Sequence, residues 1–449
     1  MKKLVYIVFA LSLLACSNDE ALVLDDVGET PAFLGELDWV RNFGGSNSET
    51  AQSVVATSDG GYAILGYTNS QDGDITDKTL DVNDYWLLKL DADGSLQWNK
   101  TYGGSKDDRG QSVIQTLDGG YAIVGYAMSD DGDGSNNEGF HDNWILKLDA
   151  SGTVEWERSF GFSGHDHSYD VVQTADGGYF FVGFLDVTAS NGEGNVGKGS
   201  SSLTRHGVGE FWGTKLDAAG NLVWRRFFGG TNNDRAYGVV AAQDGGFVIT
   251  GSSESADFDI SNTKGSYDFW VVKVSNTGDL VWERSFGGSG IDKSYGIART
   301  SDNAYVITGN TFSTDTDISK NNGESDVWLI KVDDNGNLIW ERTYGGTLFD
   351  AARKVRALAD GGFLVSGNSK STDLNATSNA GENDLWVIRT DSEGNLTWQH
   401  SYGGSGLDYG FDALENPDKS ILLVGETTST DFPDLQSKGN TDLVVLKVK

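Results

Sequence analysis

From about residue 36 onward, apolar and polar residues alternate along this chain in short runs separated by Gly- and Asp-rich turns. Between residues 111 and 160 four such runs follow one another, at 111–116, 121–126, 143–148 and 153–160, carried by Val, Ile, Leu, Tyr and Trp. A period of two places successive side chains on opposite faces and predicts β-strands. Nowhere in this region is a 3.6-residue apolar stripe sustained, and 60 glycines weigh against helices. The four-strand set recurs, and the tryptophans measure its period. Trp39, Trp98, Trp156, Trp224, Trp282, Trp340 and Trp398 are spaced by 59, 58, 68, 58, 58 and 58 residues. Trp86, Trp144, Trp212, Trp270, Trp328 and Trp386 each precede a member of that set by 12 residues, which accounts for all 13 tryptophans. Four short strands repeated seven times without helices predict an all-β fold, a seven-bladed β-propeller of four-stranded blades.

The ends of the pattern predict how the ring closes. Glu36 to Phe43, with Trp39, matches a fourth strand, and the last unit reaches Lys449 after a third. Seven complete blades result if the N-terminal strand completes the C-terminal blade, which leaves no unpaired edge at the seam.

The first residues follow a different pattern. Lys2 and Lys3 precede an apolar run from Leu4 to Leu14, too short to span a bilayer. The run ends in Leu13-Leu14-Ala15-Cys16, which resembles the lipobox of bacterial lipoproteins. That resemblance implies cleavage before Cys16 and a lipid on its sulfur, with two or more acyl chains giving stable anchoring. Cys16 is the only cysteine, so no disulfide staples the mature chain. Ser17 is not the aspartate that retains lipoproteins at the inner membrane, which implies the outer membrane, and the acidic pair Asp19-Glu20 resembles the surface-export signal of Bacteroidota lipoproteins, which implies the cell surface of a Gram-negative cell. The expected organisation is therefore 1–15 signal peptide, 16–35 lipid anchor and flexible acidic tether, and 36–449 propeller.

Within the units, several residues recur because the architecture needs them. Asp-Gly-Gly, as in Asp118-Gly119-Gly120, supplies the positive φ of a tight hairpin. Asp-x-x-Gly followed by Trp, as in Asp91 to Trp98, resembles the docking motif of quinoprotein-type propellers, one residue shorter, and implies tryptophan packing between blades. A strand glycine (Gly66, Gly125, Gly183 and their equivalents) points to close packing. A basic residue three after the third-strand tryptophan, such as Lys89 or Lys273, is expected to pair with a carboxylate. Two acids recur in every unit, one set typified by Asp108 and Asp292, the other by Asp84 and Asp268. They either bond backbone amides and fix blade register or offer oxygens to a hard cation, for which Ca²⁺ is the candidate. Asp72-Gly73-Asp74 and Asp131-Gly132-Asp133 add dense oxygens without EF-hand spacing.

Departures from a regular scaffold are where function is expected. The third unit has ten extra residues between Gly183 and Trp212, carrying Lys198, Arg205 and His206, and Phe162 replaces a glycine just before His165 and His167. These five cationic residues, Lys198, Arg205, His206, His165 and His167, are the candidate ligand-binding set, against the alternative of a solvated loop. Catalytic motifs are lacking. Gly161-Phe162-Ser163-Gly164-His165 falls one glycine short of a nucleophile elbow. Gly192-Glu193-Gly194-Asn195-Val196-Gly197 fits a dinucleotide fingerprint only as a string, with no helix to follow. A formal net charge of −33 argues against nucleic acid and leaves the lipid anchor as the contact with membrane.

Ser401-Tyr402-Gly403-Gly404-Ser405-Gly406-Leu407-Asp408 through Asp431-Phe432-Pro433 resembles the bacterial seven-bladed β-propeller repeat family, and the similarity extends over 37–449. Only the last unit keeps the Asp-Phe-Pro ending. The resemblance implies an exported propeller and no defined reaction. The expected function is a monomeric, outer-membrane-anchored, surface-exposed lipoprotein that binds or scaffolds a protein or glycan ligand without catalysis. Two alternatives are a polysaccharide-cleaving enzyme with its site at the channel mouth, which needs non-repeated carboxylates or histidines converging there, and a periplasmic envelope-assembly scaffold.

Overall fold

The computed structural model describes Phe33 and residues 35–186 and 209–449; Cys16, Lys198, Arg205 and His206 lie outside these residues. Gly35–Lys449 forms one compact unit, whose described residues make 28 strands, numbered β1 to β28 along the chain. They make seven antiparallel four-stranded sheets, the blades of a propeller. Six blades take four consecutive strands each. The seventh has the order β1-β28-β27-β26, so that β1 (Leu37–Phe43) forms its outer strand against β28 (Asp442–Val448). The register runs from Leu37 opposite Val448 to Phe43 opposite Leu443. The N-terminal strand thus closes the ring.

Packing between blades explains the repeated residues. Trp86, Trp144, Trp270 and Trp328 on the third strands are wholly buried. The outer-strand tryptophans lie on the hairpin glycines of the next blade. A Cβ on Gly152 would come within 2.9 Å of Trp98, and one on Gly220 within 2.9 Å of Trp156. Trp398 lies in the same way on Gly35 (φ +69°), so the contact is made at the seam too. The expected tryptophan docking is therefore present.

The recurring basic residues pair with the aspartate of the Asp-Gly-Gly turn or its equivalent, as in Lys89–Asp59 at 2.9 Å, Lys147–Asp118 at 2.9 Å, Lys273–Asp244 at 2.9 Å and Arg389–Asp360 at 2.6 Å. The recurring acids serve the backbone. Asp108, Asp234, Asp292 and Asp408 each accept an amide N–H from the glycine four residues earlier, at 3.0, 2.7, 2.7 and 2.7 Å. Asp268, Asp326 and Asp384 accept from loop amides at 2.6, 2.7 and 2.8 Å. Asp72 and Asp74 likewise hold the amides of Ser46 at 2.7 Å and Gly44 at 2.9 Å. The rim acids thus serve as amide acceptors, while Oδ1 of Asp84, Asp142, Asp234, Asp268, Asp326 and Asp384 is buried without a hydrogen-bond partner.

Candidate binding site at the propeller axis

The first strand of every blade carries a β-bulge. Pairing with the second strand skips one residue each time: Gln52, Gln111, Tyr169, Tyr237, Tyr295, Arg353 and Phe411. Opposite each bulge stands the recurring strand glycine. A Cβ on Gly66, Gly183 or Gly251 would run into the carbonyl oxygen of Thr50, His167 or Arg235 on the bulged strand. The glycine therefore does more than pack: it makes room for a bulge, and a bulge re-aims one side chain. All seven re-aimed residues line a single pocket of about 150 Å³, with Ser53 and Lys354 beside them. The scaffold repeats while the presented side chain changes, which gives one addressable position per blade.

The pocket wall is aromatic over three consecutive blades and basic at its end. Tyr169 and Tyr237 have ring centroids 4.9 Å apart, Tyr237 and Tyr295 5.1 Å, and the Arg353 guanidinium lies 4.8 Å over Tyr295. Burial pushes the Tyr169 and Tyr237 hydroxyls above their ordinary range, so they remain donors at neutral pH. Arg353 Nε is buried and has no partner. Just beneath, Lys354 pairs with Asp170 at 3.1 Å and Arg356 with Asp412 at 2.6 Å.

Two residues before each bulge comes a second tier, nearer the face that carries the loops into strands one and three. It contains Arg109, His167, Arg235 and Lys293 in four consecutive blades. Each cation covers an aromatic ring: Arg109 lies 5.2 Å over Tyr67, Arg235 4.7 Å over Phe184 and Lys293 4.4 Å over Tyr267. His167 stacks on Tyr126 at 3.8 Å and reaches the Tyr169 hydroxyl with Nδ1 at 3.3 Å. Burial, then the charges of His141, His165, Arg235 and Arg109, hold His167 down to about 3, as neutral imidazole.

The structure places His165 and His167 together at this mouth and adds His141 of the preceding blade, which sequence patterning does not single out. The nitrogens of the three lie within 4.8 Å of one another, a grouping able to hold a metal ion. His141 Nε2 stands 3.5 Å from Asp107. Burial alone would raise that carboxylate, but His141, Asn83 and Arg109 outweigh it and bring it to about 2. Lys198, Arg205 and His206 fall outside the described residues. The bulge ring was also missed. The signal that finds it is variation: in a unit where most positions recur, this one reads Gln, Gln, Tyr, Tyr, Tyr, Arg, Phe.

No family model matches the chain. A stretch of 142 residues, 29% of the chain, is 28% identical to the regulatory protein FlaEY of Caulobacter vibrioides and spans 14% of that protein. Similar solved structures include BamB from Moraxella catarrhalis, at 13% identity and TM-score 0.39, matched over 88% of this chain and 85% of that one. The Neurospora crassa Pan2 WD40 domain gives 10% identity and TM-score 0.48 over 90% and 89% of the two chains. Sqt1 from Chaetomium thermophilum gives 11% and 0.46 over 92% and 100%. Likenesses this distant say nothing of ligand or reaction.

Proposed function

We propose that the protein is a lipid-anchored, surface-exposed outer-membrane lipoprotein whose propeller binds an acidic glycan end-on at the axial pocket. The observation that carries this reading is the bulge ring: three tyrosines and Arg353 face one small pocket in a chain of net charge −33. Aromatic faces with polar tips suit a sugar ring, and a guanidinium recognises a carboxylate in a fixed two-pronged geometry. A cavity of about 150 Å³ holds one six-membered ring of the size of benzene, so the pocket takes a chain end. The basic second tier would draw a uronate past an otherwise repelling surface.

Convergence of His167, Tyr169 and Arg235 at the mouth favours a second reading, a polysaccharide-cleaving enzyme at the same place. A carboxylate-neutralising cation beside groups able to move a proton meets the requirement set out for that alternative. One experiment separates the two. The full-length protein in mild detergent is run through gels containing neutral or uronic-acid polysaccharides, and products are analysed by mass spectrometry. Retardation on uronic-acid gels without new products is expected. Shortened chains would establish the enzyme, and no retardation on any gel would refute the glycan reading.

A further inference from the structure

Among the described residues, three histidines meet at one junction between blades and at none of the other six. At the position of His141 the other units carry Asn83, Gly209, Tyr267, Ser325, Asn383 and Thr441, and at that of His165 they carry Ser48, Asp107, Asn233, Ile291, Phe349 and Leu407. The six other units carry no histidine at either of these two positions, so the fold itself has no need of the cluster. The backbone fixes where it sits. His141 and His165 form a parallel bridge, and the amide of Asp166 donates to the His141 carbonyl at 2.7 Å. His167 opens the strand His167–Gln173 two residues on.

The ring geometry suits one ion. His141 Nδ1 and His165 Nδ1 are 3.0 Å apart, and all three histidines bring a nitrogen within 4.8 Å of the others. Ring centroids are separated by 5.3, 5.0 and 6.3 Å. Nitrogens bound tetrahedrally at about 2.0–2.1 Å lie about 3.3 Å from one another, so modest side-chain rotation closes the set. Ligating histidines rest their far nitrogen on a carboxylate or polar oxygen, and two of the three face such a group, although the buried His141 Nε2 makes no hydrogen bond as it stands. His141 Nε2 faces Asp107 at 3.5 Å, and Arg109 braces Asp107 at 3.0 Å. His167 Nδ1 faces the Tyr169 hydroxyl at 3.3 Å, which leaves its Nε2 buried with no hydrogen-bond partner. Tyr126 at 3.8 Å and Phe140 at 5.0 Å stack on His167 and His165 and hold both rings in place.

We propose that His141, His165 and His167 bind one Zn²⁺ ion between the second and third blades, beside the axial pocket. Asp107 is the positioning residue behind His141. Three imidazoles leave a tetrahedral ion one position short, which water fills, or a carboxylate of whatever occupies the pocket. Imidazole donors suit zinc, whereas Ca²⁺, the candidate at the acidic rim, prefers carboxylate and carbonyl oxygens. The site does not depend on the glycan reading, because it is tested with metal alone.

The test is calorimetric titration of ZnCl₂ into the full-length protein in mild detergent after treatment with EDTA. One ion per chain is expected, and the exposed substitution His165→Gln and the separate His167→Gln should each abolish that step. Asp107→Asn should weaken it about 10–100-fold, the range for loss of an outer-sphere carboxylate. Thermal melts without metal report whether each variant is folded. Co²⁺ substituted for Zn²⁺ should give the strong visible bands of a tetrahedral site. No stoichiometric binding, binding unchanged in both histidine variants, or a pale octahedral Co²⁺ spectrum would overturn the assignment.

Discussion

Asp412 ties three blades together at the seam, and removing it should cost more than any other polar substitution in the channel. Its carboxylate is wholly buried and accepts the Val54 amide at 3.1 Å, the Ala413 amide at 2.8 Å, and Arg356 at 3.1 and 2.6 Å. Arg356 also donates to the Val54 carbonyl at 2.7 Å, so the first strands of the sixth, seventh and first blades meet on one ion pair. Asp412→Ala leaves the guanidinium without its counter-charge and the Val54 amide without an acceptor. Breaking a buried pair from one side costs about 3–5 kcal/mol. The Arg356 side chain is 34% exposed to the channel, where water can reach it, which places the expected loss near the lower end, about 3 kcal/mol. Replacing both partners, in Asp412→Leu with Arg356→Met, removes the stranded charge. That double variant should return to within about 1–2 kcal/mol of the parent, the remainder being the unpaired Val54 amide. Urea unfolding followed by tryptophan fluorescence measures both. A single variant that loses less than about 1 kcal/mol, or a double variant no better than the single, would refute the reasoning.

Three further outcomes follow from the same structure. Trp270→Ala empties a wholly buried site whose indole N–H donates to Glu283 at 3.0 Å, and should cost about 3–5 kcal/mol in the same unfolding assay; a loss below about 1 kcal/mol would mean the blade interface is not packed as described. Burial lifts Asp84, Asp234, Asp268, Asp326 and Asp384 to about 6, above the unfolded carboxylate value, so their stabilisation is complete below that value and is lost as pH rises through about 6. His167 and His400, lowered chiefly by burial, oppose this as pH falls through 6.5, but they are two groups against these five together with Asp142, lifted likewise to about 6, and Asp166, lifted to about 8; the thermal midpoint in EDTA should be higher at pH 5 than at pH 7.5, and the reverse order would contradict the assignment. Cys16→Ser should abolish incorporation of labelled palmitate and release the protein from the membrane fraction; a labelled variant would place the anchor elsewhere.

Blade number, strand count and ring closure were legible because they are periodic: each tryptophan, turn glycine and paired lysine is asked for seven times, and repetition inside one chain shows it. The proposed binding position was hidden by the same regularity. Gly66 and its equivalents advertise a close approach, yet only the pairing register reveals that the neighbour is a bulge and that Tyr169, Tyr237, Tyr295 and Arg353 are thereby turned to the axis. His165 and His167 stood out by breaking the repeat. His141 did not, because its partners lie in the next blade and its closeness to them, with a 3.0 Å contact to His165, is a property of how blades abut. The rim acids read first as amide acceptors and second as cation ligands, since spacing says nothing of where each oxygen points.

The central claim is that the bulge ring holds the ligand. It is tested most directly by repeating the retardation assay on the uronic-acid polysaccharide with Tyr237→Ala/Arg353→Met, which strips the middle of the aromatic wall and the cation at its end, with the ring contacts they make across blades, while leaving the strand pairing and the buried tryptophans in place. A folded protein that migrates as if no polysaccharide were present is expected. Retardation equal to that of the parent would contradict it and move the binding surface away from the axis.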